Sequence, residues 1–215
     1  MRLFTCWHIM KYTIKSLQPY YSVVKESLHM AILKIYTDGA CSGNQNESNI
    51  GGWGCVLEYA GREKELWGGE VDTTNNRMEL TALIEALKAV TKDGQTVEIC
   101  SDSSYLVNCF RSHWYENWEK NGWKNSKKQP VENRALWEEL LSLYRKHRVR
   151  FFLVKGHVSP EASEEKLRAE YARFVKNNGD VPFESFMTML RYNNRCDALA
   201  NRFIDEERER RGKES

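Results

Sequence analysis

Three β-prone runs stand close together in the first third of this chain, and the short spacing between two of them restricts how they can pair. Residues 32–37 read as a strand that ends at Asp38-Gly39, with Ser42, Gly43 and Asn44 marking a turn. A second strand spans residues 51–59, and a turn around Gly61 leads to a third near residues 65–71. Strands joined by so tight a turn must run antiparallel. The period then changes. Thr73 and Thr74 can cap a helix from Met78 to Val90, which Asp93-Gly94 ends, and residues 97–101 form a short apolar strand running into Asp102. Residues 103–111 look helical. Leu136, Trp137, Leu140, Leu141 and Tyr144 fit an amphipathic helix, and the strand-like run 148–154 ends at Lys155-Gly156-His157. Strands followed by helices, with no internal repeat, place the chain in the α/β class.

At 215 residues, 41% hydrophobic and 29% charged, the chain can bury one sizeable core. A net charge of +2 means that any nucleic-acid footprint must be local. The six cysteines form no CxxC pair and fall largely in apolar runs, which implies a reduced, cytoplasmic setting. No apolar stretch reaches the roughly 18 residues of a membrane span. Residues 1–29 carry Lys11, Lys15 and Lys25 among aromatics and have no signal-peptide core. They read as an N-terminal extension, either a start placed too early or a short extra, disordered segment. The main domain is then 30–205, followed by a charged tail, 206–215.

Four acidic residues come from four separate neighbourhoods: Asp38, Glu79, Asp102 and Asp197. Asp38 and Asp102 end β-prone runs, so each carboxylate is expected to emerge from a buried strand at a sheet edge. Glu79 and Asp197 sit beside helix-like patterns. Taken singly, each has an ordinary reading, as a turn former, a cap or a helix N-terminal acid. Together they would make an all-carboxylate site. Mg²⁺ prefers oxygen ligands, and clustered carboxylates repel one another unless a cation joins them. Two such ions about 4 Å apart can position a water, spread transition-state charge and assist a leaving alkoxide.

The segments Tyr36–Cys41, Thr73–Leu80, Ser101–Tyr105, Lys155-Gly156-His157 and Asn194–Ala200 resemble ribonuclease HI in order and spacing. The resemblance runs from about Ile32 to Ile204 and is broken by one large insertion. It implies a five-stranded mixed sheet, three antiparallel plus two parallel strands, flanked by helices. It also implies a metal-dependent endonuclease that hydrolyses the RNA strand of RNA–DNA hybrids, leaving 3′-hydroxyl and 5′-phosphate ends. On that resemblance Asp38 bridges two Mg²⁺ ions, Glu79 and Asp102 complete one shell, and Asp197 holds the other ion; Mn²⁺ is an alternative. His157 assists proton transfer or product departure. The partner is the hybrid, the protein a monomer.

The same resemblance assigns Gly39, Cys41, Asn44, Asn75 and Asn76 to 2′-hydroxyl and minor-groove contacts. Thr74 and Asn133 match a DNA-phosphate pocket. Residues 110–128 resemble the family's basic protrusion, with Trp114, Lys120, Trp123 and Lys124 facing the DNA strand and Trp118 packing inward. Five basic residues there (Arg111, Lys120, Lys124, Lys127, Lys128) outnumber Glu116 and Glu119, so the grip should be modest and salt-sensitive. A hybrid-binding module without catalysis is a second reading, against which all four acids argue. A relative that cuts DNA junctions or joins DNA ends is a third, and the Asn75–Glu79 signature argues against it.

Ser104 and the loop 45–50 depart from the family pattern. The largest departure is an insertion of roughly 30 residues, about 160–192, which loops tolerate at small entropic cost. A helical hairpin is expected there. One helix uses Leu167, Tyr171, Phe174 and Val175. The other starts at Pro182 and uses Phe183, Phe186, Met187 and Leu190. A separate last helix would run from Asp197 to about Glu209. Two roles stay open for the insertion: peripheral packing, or steadying His157.

Overall fold

In β2 (Ile50–Tyr59) and β3 (Arg62–Val71) the backbone turns on two residues, Ala60 (φ 51°) and Gly61 (φ 75°), and pairs Tyr59 with Arg62. Positive φ at both central positions matches the right-handed twist of the flanking strands, which is why so short a link closes the hairpin. The computed structural model describes residues 32–42 and 49–214. The N-terminal extension, Asn44 and Ser215 fall outside these.

The sheet has the order β3-β2-β1-β4-β5, with β1 at Leu33–Ser42, β4 at Thr96–Ser101 and β5 at Arg148–Leu153. β1–β2 and β2–β3 are antiparallel, β1–β4 and β4–β5 parallel. The expected five-stranded mixed sheet is therefore the one found. Successive residues on a strand face opposite sides, so the sheet has two cores. Leu33, Ile35, Cys55, Leu57, Val97, Ile99 and Phe151 face one; Tyr36, Val56, Cys100 and Phe152 face the other.

The first core is covered by α1 (Asn75–Lys88), α2 (Ser104–Arg111), α3 (Trp114–Lys120) and α4 (Arg134–Tyr144). Thr74 caps α1, its hydroxyl accepting from the Arg77 N–H at 3.4 Å, so the helix begins three residues before Met78. At the centre of this core Trp137 is fully buried among Tyr105, Phe110 and Trp118. The second core is covered by α5 (Glu164–Asn178) and α6 (Phe183–Glu214).

Two expectations need correction. The first strand does not end at Asp38. β1 continues to Ser42 because Asp38 to Ser42 all pair with β2, Asp38 opposite Gly54. Asp38 thus lies inside a strand in the middle of the sheet. The second correction concerns the insertion. Its second arm and the expected last helix are one 32-residue helix, α6, and what was expected as a loose charged tail is its final turns through Glu214. No glycine or proline interrupts residues 183–211. Near its end Arg202 pairs with Glu206, and Arg210 and Arg211 with Glu207, at helical spacing. Asp197 is consequently held in mid-helix, away from any helix start.

Candidate active site

The catalytic candidates meet where α1 and the end of β4 close on the middle of β1. Asp38 Oδ1 accepts the N–H of Gly39 at 2.8 Å. At Gly39 the sheet and α1 almost touch: a Cβ there would lie 2.4 Å from the Glu79 backbone nitrogen. Only glycine allows that approach, and it delivers Glu79, in the second turn of α1, beside Asp38. Asp102 follows Ser101, the last residue of β4, which pairs in parallel with Thr37 of the adjacent β1, so Asp102 comes out beside Asp38. One oxygen each from Asp38, Glu79 and Asp102 lie within 4.8 Å of one another.

This arrangement is electrostatically costly as it stands. Asp38 and Glu79 are each only 4% exposed. Burial first, then Asp102 and Asp197, push the Asp38 carboxyl up to about 8. Burial, then Asp38 and Asp102, hold Glu79 well above the usual carboxylate range. Burial raises Asp102 as well, offset in part by the neighbouring side chain of Asn193. Glu79 Oε2 is buried and has no hydrogen-bond partner among the described residues. A buried, unpartnered oxygen beside two further crowded carboxylates is what a hard divalent cation satisfies. The donor set fits such an ion.

Asp197 stands beside this trio without belonging to its tightest part. It is near enough to raise Asp38, its Oδ1 accepts from Asn201 Nδ2 at 3.0 Å, and its Oδ2 lies 4.0 Å from His157 Nδ1. The His157 side chain is 81% exposed, and its backbone has φ 56° in the turn after β5.

The expected substrate residues scatter over the same face with mixed outcomes. Thr74, Asn75 and Asn76 are exposed at the start of α1. Cys41 is half-buried and its thiol donates to the Thr73 carbonyl at 3.7 Å. Asn76, Trp114 and Lys124 line one cavity of about 610 Å³, together with Asn121 and Gln129. Trp123, Lys120 and Asn133 are among the expected residues that do not line that wall. Trp123 is 8% exposed and packs on Trp118, so it belongs to the core and offers no open ring. Lys120 lies about 120° round α3 from Trp114 and shares a face with Glu116, which it pairs with at 3.9 Å. Asn133 adopts φ 54° before α4 and makes no capping bond.

Sequence reasoning missed Asn193. It is 2% exposed, its side chain neighbours Asp102 and lowers that carboxyl, and its Oδ1 is unpartnered among the described residues. The signal was its position four residues before Asp197, which shares a helix face only once one helix is known to cover both. Asn194, in the Asp197 motif, has a structural task that the motif does not reveal: its Nδ2 donates to the Val158 carbonyl at 3.0 Å and ties down the far end of the His157 turn.

A sequence-family model described as RNase H matches residues 30–168. The chain is 46% identical over 171 residues to a "Ribonuclease H" of Acetivibrio thermocellus, covering 80% of this chain and 93% of that protein. It is 42% identical over 172 residues to one of Clostridium botulinum, covering 80% and 95%. Among solved structures it is similar to LC9-RNase H1, described as "a type 1 RNase H with the type 2 active-site motif", with TM-score 0.53 and 30% identity over 73% of this chain and 80% of that one. LC11-RNase H1, solved "in complex with RNA/DNA hybrid", shares the fold at TM-score 0.51 and 21% identity, over 81% and 98%.

Proposed function

The chain belongs to the RNase H family, and from that premise we propose that its carboxylate cluster hydrolyses the RNA strand of an RNA–DNA hybrid, leaving 3′-hydroxyl and 5′-phosphate ends. The observation that carries this reading is the meeting of Asp38, Glu79 and Asp102, from β1, α1 and the end of β4, within 4.8 Å. Asp38, Glu79 and Asp102 would hold one divalent cation, and Asp38 with Asp197 a second. Mg²⁺ is the first choice for four carboxylates, with Mn²⁺ the alternative. Bound there, the ions supply water activation and neutralise charge on the phosphate.

The chain's own residues have distinct tasks. Asp38, fixed by the Gly39 N–H, sets the position from which the other acids are measured. Asn193 of α6, buried next to Asp102, favours the charged form of that carboxylate. His157, exposed beside Asp197, can take up or release a proton at the side where product leaves. Asn75 and Asn76, at the exposed start of α1, can both donate to and accept from a 2′-hydroxyl, the group by which RNA differs from DNA. The cavity between Asn76, Trp114 and Lys124 offers an exposed ring and a cation to the DNA strand. The hybrid reading gains support from the fold shared with a protein solved on such a hybrid.

The test uses labelled RNA in three forms: paired with DNA, paired with RNA, and single-stranded, each with and without Mg²⁺. Cutting confined to the hybrid and dependent on the ion is the expected result. Metal-independent cutting, or equal cutting of all three forms, would refute the proposal.

A further inference from the structure

Glu170 is a buried carboxylate in the insertion that the chemistry above does not use. It sits on α5 with its side chain 8% exposed, and a glutamate is seldom buried without a partner. It has two. Arg173, one turn along the same helix, donates to Oε1 at 2.6 Å. Lys155, from the end of β5, brings its ammonium to 3.5 Å of the same oxygen. Arg173 is a local partner that a solvent-facing glutamate could equally have. Lys155 is the partner that requires Glu170 to point inward, and it lies two residues before His157.

The rest of the turn is held on both sides of this pair. Upstream, Asn178 of α5 grips the backbone of Leu153: Oδ1 accepts its N–H at 2.8 Å and Nδ2 donates to its carbonyl at 3.0 Å. Downstream, Asn194 holds the Val158 carbonyl. Between them, Gly156 lies so close to the site that a Cβ there would meet Asp102 Oδ2 at 2.1 Å. Asp102, Lys155, Gly156, Glu170 and Arg173 line one cavity of about 290 Å³. With Leu153 and Val158 fixed and Gly156 against Asp102, Lys155 is the lever for the left-handed backbone at His157.

We infer that Glu170 is a positioning residue for His157: by holding Lys155 it fixes where the imidazole stands beside Asp197, so the insertion takes part in the catalytic step. This rests on the hybrid-cleaving function proposed above. The test is a double-mutant cycle in steady-state cleavage of an RNA–DNA hybrid. Glu170→Gln keeps the shape and removes the charge; Lys155→Met approaches the pair from its exposed end and carries little folding cost. Each should lower kcat by about tenfold, as a misplaced catalytic group does, with KM within about twofold. In a His157→Ala background neither should lower kcat by more than about twofold, because the residue they act through is gone. A full-sized loss that persists without His157, or wild-type kcat in both variants, overturns the inference. The unsubstituted protein in the same assay separates the two proposals: if it leaves the hybrid intact, the proposed function falls and this inference with it.

Discussion

In the metal-free protein Asp38, Glu79 and Asp102 work against their own burial and against one another, and that conflict has a measurable sign. A carboxyl whose folded value is raised from 3.8 to about 8, as at Asp38, binds its proton more tightly folded than unfolded. Its contribution to stability is then fully present below the ordinary carboxylate value and is lost as pH rises toward the folded one. Glu79 and Asp102 are shifted in the same direction. The melting temperature without metal should therefore fall between about pH 4 and pH 8, by an amount on the order of a few kcal/mol in stability. Mg²⁺ should restore more of it at pH 8 than at pH 5. Asp38→Asn should flatten this profile while abolishing hybrid cleavage and sparing hybrid binding; a variant that still cuts would contradict the assignment of Asp38. Asn193 makes a second residue-scale case. Asn193→Ala removes the buried amide beside Asp102, so metal affinity and cleavage should fall about tenfold, as for other residues next to a metal ligand. Titration calorimetry with Mg²⁺ reads the first effect and hybrid turnover the second.

Among the elements, β5 and α6 carry the features least visible in advance. β5 is an edge strand, with unpaired backbone groups on its outer side, and such an edge needs cover. α5 supplies it through Asn178, which adds bonds to both backbone groups of Leu153 and is itself fixed by Arg111, whose Nη2 also donates to the Phe151 carbonyl. Asn178→Ala leaves these half-buried groups without partners and should destabilise the fold by about 2–3 kcal/mol, read as a lower denaturation midpoint with unchanged denaturant slope. The amphipathic stripe from Leu167 to Phe174 announces α5, but nothing in a single asparagine announces which strand it will bond. α6 was hidden for a different reason. Residues 183–190 and 197–209 each have the look of a helix, and the polar run Arg191 to Arg195 between them resembles a turn. In the fold that run faces partners: Tyr192 stacks on Tyr36, Asn193 reaches Asp102, and Arg195 pairs with Glu63 and Glu65 on β3. Those contacts are long-range, so local pattern alone could not supply them.

At the scale of the whole molecule, the acids were legible because each sits in a contiguous motif, whereas the surface that meets the hybrid depends on which way side chains turn. Trp114 and Trp123 look alike in the chain, yet Trp114 is exposed and Trp123 joins Trp118, the one expected to pack inward, around Trp137 and Val131 in the first core. The same sorting separates Lys124, on the cavity with Asn76 and Trp114, from Lys120, turned toward Glu116, Glu119 and Arg145. On the proposed function the two sides of the sheet would divide the work: α1 to α4 would offer the gripping surface, and α5 and α6 would set the turn that carries His157. With a net charge of only +2, binding cannot draw on the overall field of the protein. It must rest on a few local phosphate contacts, each releasing about one counterion. Lys124→Ala should weaken hybrid binding and reduce the slope of log affinity against log salt by about one. Lys64→Ala, on β3 and lining a different cavity, should leave that slope unchanged. Fluorescence anisotropy with Asp38→Asn as the common background, so that the hybrid stays whole, measures both slopes. Equal slopes for the two lysine variants would mean that the cavity beside Trp114 is not where the DNA strand lies.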